Sequence, residues 1–119
     1  KTIVIIREKA GKPILAVIPG NREADLKAIA SLAGEKKVQI ASQKEAERIT
    51  KLQVGGISPL ALMNRGFQIF LDSNIEKYEW IHISGGQRGL NIRLQAKDLV
   101  ALTGAMVSPI SVEEKMTNP

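Results

Sequence analysis

The first two apolar runs of the chain predict a pair of buried strands. Segments 2–6 (TIVII) and 14–19 (ILAVIP) are rich in β-branched residues and almost continuously hydrophobic, a pattern typical of strands covered on both faces. Gly11 and Pro13, between the two runs, suit a hairpin turn. We therefore expect two adjacent strands joined by a short connection.

Two further segments have the period of amphipathic helices. In NREADLKAIASLAG, residues 21–34, apolar side chains recur on one helical face. Asn21 is the predicted N-cap of this helix and Gly34 the predicted C-cap. Ser42 followed by Glu45 predicts a capping box that opens the helix QKEAERITKL. Both segments should pack an apolar face against the strands.

The rest of the chain alternates strands with a third helix. KKVQIAS, FQIFLD, WIHIS and LNIRLQ are strand-like, and AKDLVALTG is helical. This alternation, with both hairpins and crossovers, predicts an α/β (mixed α+β) fold with a mixed, curved, barrel-like sheet and helices packed on it. Residues 1–119 are expected to form a single domain, with residues 110–119 as a frayed, polar tail.

Composition narrows the possible chemistry. The chain has 44% hydrophobic and 24% charged residues, no cysteine and one histidine, so no thiolate zinc site, cysteine nucleophile, metal or cofactor is expected. A net charge of +5 favours a polyanionic partner, although solubility explains such a charge equally well. With 3% aromatic residues, a base-stacking platform is disfavoured. No run of about 18 apolar residues suggests a membrane span, so a cytoplasmic protein is expected.

His82 is interpreted as structural. It lies in the strand WIHIS, on one face with Trp80 and Ser84, while Ile81 and Ile83 point the other way. Histidine is intermediate in burial and often finds hydrogen-bond partners in half-buried strands. We therefore expect a hydrogen-bonded histidine without a catalytic role.

The loop VGGISPL, residues 54–60, is the strongest candidate for a binding feature. Two adjacent glycines can expose consecutive backbone N–H groups, and Pro59 stiffens the chain just after them. Such an array of donors binds an oxyanion, although a plain tight turn would have the same composition. The spacing of the later turn SGGQRG matches no phosphate-binding loop. The charged residues 43–48 form either a solvated helix face or a contact with tRNA phosphates.

The order of several motifs resembles one family. The segments KTIVI, VIPGNREADLKAIASLAGEKKVQIAS, VGGISPL, FLDS and ISGGQRGLNIRLQAKDLVALTGA together resemble the YbaK-type aminoacyl-tRNA editing domain family, over residues 1 to about 107. The resemblance implies a trans-editing deacylase that clears mischarged tRNA(Pro), above all Cys-tRNA(Pro), beside prolyl-tRNA synthetase. It implies neither a membrane nor a DNA partner. The turn SGGQRG resembles the cysteine-type branch more than the alanine-type one.

The resemblance also implies site residues. The family's Gly-x-x-x-Pro loop falls on Gly55 to Pro59, its lysine on Lys1, and a pocket position on Asn91. Backbone donors at Gly55, Gly56 and Ile57 are then expected to stabilise the oxyanion, with Lys1 anchoring the tRNA end. The remaining substrate-binding residues are expected to be Ser58, Pro59 and Asn91, with Ser58 orienting groups or stabilising the turn rather than attacking the ester.

No protein nucleophile is expected, because the thiol of a cysteinyl substrate can attack its own carbonyl. The alternatives are an Ala-tRNA(Pro) deacylase that uses an activated water, and a non-catalytic module that binds tRNA or a synthetase. Lys51 and Ala61 stand where the family commonly has glycine, which motivates the non-catalytic alternative. Family members also commonly carry some tens of residues before the lysine.

Overall fold

The structure, a computed structural model, describes residues 1–115. Its nine strands, four α-helices and one 3₁₀ helix follow one another along the chain. In order they are β1 (Thr2–Arg7), β2 (Ile14–Val17), β3 (Arg22–Ala24), α1 (Leu26–Ala33), β4 (Val38–Ile40), α2 (Gln43–Thr50), α3 (Pro59–Leu62), β5 (Gln68–Asp72), the 3₁₀ helix (Ser73–Lys77), β6 (Ile81–Ser84), β7 (Asn91–Leu94), α4 (Ala96–Thr103), β8 (Met106–Ser108) and β9 (Ser111–Glu113).

A five-stranded mixed sheet with the order β4-β1-β2-β5-β8 forms the centre of the fold. The predicted hairpin is confirmed, since β1 and β2 pair antiparallel with Ile5 opposite Ile14. Strand β5 runs parallel to both β2 and β8, which confirms the mixed α/β class. The barrel-like closure is not formed by backbone pairing: among the described strands the sheet is open, and β3–β9 and β6–β7 are separate two-stranded ribbons.

Both faces of the central sheet are covered. Alternate side chains of β1 and β2 point to opposite sides, so that Val4 and Leu15 join one core cluster while Ile5 and Ile14 join the other. The first cluster packs against α2, α3, α4 and the β6–β7 ribbon, and the second packs against α1. Burial on both faces explains why these strands are continuously apolar instead of alternating.

The first helix begins later than the sequence predicts. Asn21 does not cap it; Arg22–Ala24 is strand β3, and Asp25 is the N-cap, with its carboxylate accepting a hydrogen bond from the Ala28 N–H at 3.1 Å. Strand β3 exists because it pairs with β9 from the far end of the chain, a partner that local periodicity cannot reveal. The predicted C-cap is confirmed, since Gly34 ends the helix in the left-handed conformation.

The capping box of the second helix is confirmed in detail. The Ser42 hydroxyl accepts a hydrogen bond from the Glu45 N–H at 3.1 Å, and the Glu45 carboxylate accepts one from the Ser42 N–H at 3.2 Å. Two otherwise unpaired donors at the helix start are thereby satisfied. The box fixes where α2 leaves the end of β4, which matters because both elements border the site described below.

The predicted frayed tail is wrong for its first residues. Ile110 is fully buried and residues 111–113 form β9, whereas residues 116–119 lie outside the described residues. The cause is Asp72, a fully buried carboxylate at the end of β5. It accepts hydrogen bonds from the Ile110 N–H at 2.9 Å and the Ser111 hydroxyl at 2.6 Å, and Arg22 donates to that hydroxyl from β3. Paired in this way, the segment stays ordered.

No helix within residues 1–115 has the length and apolar character needed to cross a membrane.

Candidate active site

An open cavity of about 510 Å³ lies where the start of β1, the end of β4, α2 and the β6–β7 ribbon meet the VGGISPL loop. Its walls combine apolar side chains from the core with polar groups at the rim. The lining residues are Lys1, Thr2, Ile3, Val4, Ile40, Ala41, Gln43, Ala46, Val54, Gly55, Ile57, His82, Ile83, Ser84 and Asn91.

Four of the predicted site residues meet in this cavity. Lys1, Gly55, Ile57 and Asn91 all line it, although they come from the residue before β1, the VGGISPL loop and strand β7. Gly56, Ser58 and Pro59 do not line it, and all three are buried. The structure thus separates residues that face the cavity from residues that hold the loop in place.

Each glycine of the loop has its own physical reason. Gly55 has φ +96°, a conformation that side chains disfavour. Gly56 has no positive φ, but a Cβ placed on it would lie 3.0 to 3.1 Å from backbone atoms of Gln87 and Arg88. The first glycine therefore permits the turn, and the second permits close approach of another backbone segment.

The approaching segment is the glycine-rich turn SGGQRG, which clamps the loop. Arg88 donates a hydrogen bond from Nε to the Val54 carbonyl at 2.7 Å. The Ser84 hydroxyl donates to the Gly55 carbonyl at 3.4 Å and accepts from the Gly86 N–H at 3.3 Å. These contacts tie two glycine-rich segments, some thirty residues apart in the chain, into one unit. The turn therefore supports the loop.

One of the three predicted oxyanion donors is already occupied. The Gly56 N–H donates to the Gln53 carbonyl at 2.7 Å within the loop. The N–H groups of Gly55 and Ile57 have no hydrogen-bond partner among residues 1–115. An array of three free donors is therefore corrected to two, both on residues that line the cavity.

Ser58 and Pro59 start a short helix. The Ser58 hydroxyl accepts hydrogen bonds from the N–H groups of Leu60 and Ala61 at 3.2 and 3.3 Å, so Ser58 is the N-cap of α3 and Pro59 its first residue, a favoured position for proline. Ser58 is fully buried. The interpretation of Ser58 as a turn stabiliser is confirmed, whereas contact of either residue with substrate finds no support in this arrangement.

Lys1 sits at the mouth of the cavity. Its backbone extends the β1–β2 ladder, because its carbonyl accepts from the Ile18 N–H at 2.9 Å. Its ammonium group is 3.6 Å from a carboxylate oxygen of Glu114, and both side chains are exposed. An exposed ion pair of this kind is weak, so the ammonium can exchange Glu114 for an anionic ligand.

The interpretation of His82 as a hydrogen-bonded, half-buried histidine is wrong. Its side chain is exposed and lines the cavity, and it makes no side-chain hydrogen bond within residues 1–115. The alternation along WIHIS placed it correctly on one face with Ser84, opposite Ile83; the core, however, covers the Ile83 face. Ser84, which also lines the cavity, was missed for the same reason.

The two departures from the family pattern are accommodated. Lys51 adopts φ +63° as the left-handed C-cap of α2, the conformation for which glycine is preferred. Ala61 lies beside the glycine-rich turn, where a Cβ added at Gly86 would lie 3.5 Å from the Ala61 methyl, an ordinary contact. Neither residue lines the cavity.

The part of the chain that the structure describes contains no group of three or more His, Cys, Asp or Glu side chains arranged to hold a metal ion.

Comparisons with known proteins show the family to which the chain is similar. Residues 1–102 match the model of a family described as the aminoacyl-tRNA editing domain. A curated protein of Enterococcus faecalis named "Putative Cys-tRNA(Pro)/Cys-tRNA(Cys) deacylase EbsC" is 38% identical over 114 residues, covering 96% of this chain and 68% of that protein.

Solved structures show the same fold. A protein described as a "putative trans-editing enzyme for prolyl tRNA synthetase" superposes with a TM-score of 0.81 at 29% identity, covering 94% of this chain and 69% of the other. A hypothetical protein superposes with a TM-score of 0.86 at 28% identity, covering 94% and 73%. The chain belongs to the YbaK-type aminoacyl-tRNA editing domain family.

Proposed function

We propose that the protein is a trans-editing deacylase that removes the wrong amino acid from tRNA(Pro), with Cys-tRNA(Pro) as its principal substrate. The observation that carries the proposal is the convergence of Lys1, the Gly55 and Ile57 amides and Asn91 on one cavity of about 510 Å³. An aminoacyl ester needs a recess for its side chain, donors for its carbonyl oxygen and a cation for its nucleic-acid end. The cavity offers all three in a chain of the editing family.

The chemistry requires no nucleophile from the protein. The thiolate of the cysteinyl group attacks its own ester carbonyl, so that a sulfur–carbon bond forms and the bond from that carbon to the ribose oxygen breaks. The ribose oxygen takes up a proton, the tRNA leaves, and water opens the cyclic thioester to free cysteine. The Gly55 and Ile57 N–H groups stabilise the negative charge that develops on the carbonyl oxygen, each contributing about 3 to 4 kcal/mol.

The clamp makes this stabilisation effective. Donors help most when they are already in position before charge develops, and the loop is held in place by hydrogen bonds from Arg88 and Ser84. Lys1 binds the phosphate nearest the ester in place of Glu114. Asn91 is exposed at the start of β7. Its side-chain amide can form a hydrogen bond with a ribose hydroxyl or with the substrate's amino group.

A second candidate is an Ala-tRNA(Pro) deacylase. Alanine has no thiol, so a water must attack, and a group that orients the water is required. His82 is exposed in the cavity wall, and an imidazole nitrogen is a common general base toward an attacking water. This observation favours the second candidate over a non-catalytic module. The argument for such a module was that Lys51 and Ala61 replace glycines of the family, and both residues fit without disturbing the cavity.

Mischarged tRNA is thus the proposed partner, in the cytoplasm where tRNA is charged. Prolyl-tRNA synthetase is proposed as a second partner because the trans-editing neighbour is described as serving it.

The test is release of amino acid from Cys-tRNA(Pro), Ala-tRNA(Pro) and Pro-tRNA(Pro). We expect rapid loss of cysteine, slower loss of alanine and retention of proline. Lys1→Ala should abolish turnover, while Lys36→Ala, which removes an exposed lysine away from the cavity, should not. Loss of alanine but not cysteine would replace the thiol mechanism with the water mechanism, and release of neither would refute deacylation.

A further inference from the structure

The exposed aromatic residues of the described chain are concentrated in one place. The sequence contains one tryptophan, one tyrosine and two phenylalanines. Phe70 is fully buried and Phe67 half-buried, whereas Tyr78 is 54% and Trp80 43% exposed. These two exposed rings are two residues apart, between the 3₁₀ helix and β6. The low aromatic content argued against base stacking, but both aromatic side chains that are exposed within residues 1–115 lie in this one short segment.

The two rings line a second cavity that adjoins the first. This cavity has a volume of about 360 Å³, and Lys1, His82 and Ile83 belong to the walls of both. The two cavities therefore share a wall, and one of the shared residues is the lysine proposed to hold the tRNA phosphate. A ligand with its ester in the first cavity can extend past Lys1 toward Tyr78 and Trp80, which line the second.

The charge around the rings suits an anionic chain. The Arg93 guanidinium carbon lies 4.5 Å from the Trp80 ring centroid, an arrangement that holds the ring and leaves a cation next to it. Arg93 is paired with His82 across the β6–β7 ribbon, so both stand on its exposed side. Glu76 and Glu79 do not line the second cavity; they line a different depression, which shares Tyr78 with it.

We propose that this second cavity binds the unpaired 3′ end of the tRNA by stacking nucleobases on Trp80 and Tyr78, with Lys1 and Arg93 contacting the intervening phosphates. The inference rests on the proposed function, since it continues the substrate from the ester toward the acceptor stem. Every tRNA ends in the same unpaired CCA, and stacking on aromatic rings accepts any base. The second cavity therefore binds the 3′ ends of all tRNAs and does not distinguish one tRNA from another.

The single tryptophan allows a direct test. Because Trp80 is the only tryptophan in the chain, its fluorescence reports on this cavity alone. Titration with the RNA tetranucleotide ACCA should quench it to saturation. A tetranucleotide of the same length with abasic sugars keeps the phosphates and removes the bases, so it should bind weakly and leave the fluorescence unchanged. Equal binding of both oligonucleotides would overturn the stacking proposal.

Variants test the consequence for tRNA. Trp80→Leu should weaken ACCA binding, measured by calorimetry, by about 5- to 150-fold, and should raise KM for Cys-tRNA(Pro) far more than it lowers kcat. Trp80→Phe keeps an aromatic face and should restore most of the affinity. Leu102→Ala, which trims a still more exposed apolar side chain on α4, should change neither value.

The outcomes separate this inference from deacylation itself. Quenching by ACCA without any deacylase activity would support binding of the RNA 3′ end in the second cavity and refute the proposed reaction. Deacylation by the wild type with no quenching, and with an unchanged KM in folded Trp80→Leu, would leave the reaction standing and refute binding in the second cavity. If Trp80→Leu unfolds, the Trp80→Phe variant and the abasic oligonucleotide still decide the question.

Discussion

Replacing Gly56 with alanine tests whether the clamp between the two glycine-rich segments creates the active loop. The added methyl would lie 3.0 Å from the Gln87 carbonyl carbon and 3.1 Å from the Arg88 nitrogen. These are backbone atoms, so no side-chain rotation relieves the contact. Gly56 is buried and has no positive φ, so the whole effect comes from steric contact with the turn.

The magnitude follows from overpacking. Inserting a methyl group into a closed contact costs about 1 to 3 kcal/mol, which for a domain of this size lowers Tm by about 5 to 15 °C. The loop and the turn must move apart by a few tenths of an ångström, and the Gly55 and Ile57 donors move with them. Misplaced donors and substrate groups cost rate steeply, so we expect kcat to fall about 10- to 100-fold.

The assay measures Tm by calorimetry and single-turnover deacylation of Cys-tRNA(Pro) well below the Tm of the variant. The matched control for stability is Gly20→Ala, because a Cβ at Gly20 meets nothing within 4 Å and its φ is not positive. Alanine there restricts the unfolded chain, so Tm should stay the same or rise slightly. An unchanged Tm and kcat in Gly56→Ala would refute the clamp as the source of the loop geometry.

Three further predictions concern the stability of the fold and the role of Lys1 in binding. Lys51→Gly should raise the urea midpoint by the equivalent of about 1 kcal/mol, because the left-handed C-cap conformation strains any side chain; a lowered midpoint would contradict this account of the departure. Asp72→Ala should lower the free energy of unfolding by about 3 kcal/mol, because two buried donors lose their acceptor, and an unaltered thermal transition would show that β9 is held by other contacts. Glu114→Gln should lower KM for Cys-tRNA(Pro) about 1.5- to 5-fold at low salt, since Lys1 loses a competing partner; an equal or higher KM would argue against the role of Lys1 in binding phosphate.

Elements with local signals were predictable. The β1–β2 hairpin, the capping box of α2 and the C-cap at Gly34 each depend on residues that are neighbours in the chain, and the structure contains all three. The elements that differ depend on distant partners. Strand β3 and the ordered segment after residue 109 pair with each other. That segment is also held by Asp72, which lies nearly forty residues before it in the chain.

The candidate site shows the same division. The composition of VGGISPL and the family resemblance pointed to the loop and to Lys1 and Asn91. The turn at residues 85–89 determines which loop residues are buried, which N–H groups stay free and what holds the loop. The spacing of residues in this turn matches no binding motif, so the sequence did not indicate that role. His82 was placed on the correct face of its strand, but the strand pattern does not say which face the core covers.

By itself, therefore, the sequence determined the family, the mixed α/β class and the positions where glycine, proline or a cap is locally required, because these follow from residue type and short-range spacing. Tertiary structure alone decided that Gly55 and Ile57 keep their donors while Gly56 does not, that Ser58 turns inward, and that two exposed aromatic rings adjoin the cavity. These features arise from contacts between segments far apart in the chain. The energy of each such contact depends on the distance and orientation of two distant backbone segments, and the sequence of neither segment determines these by itself.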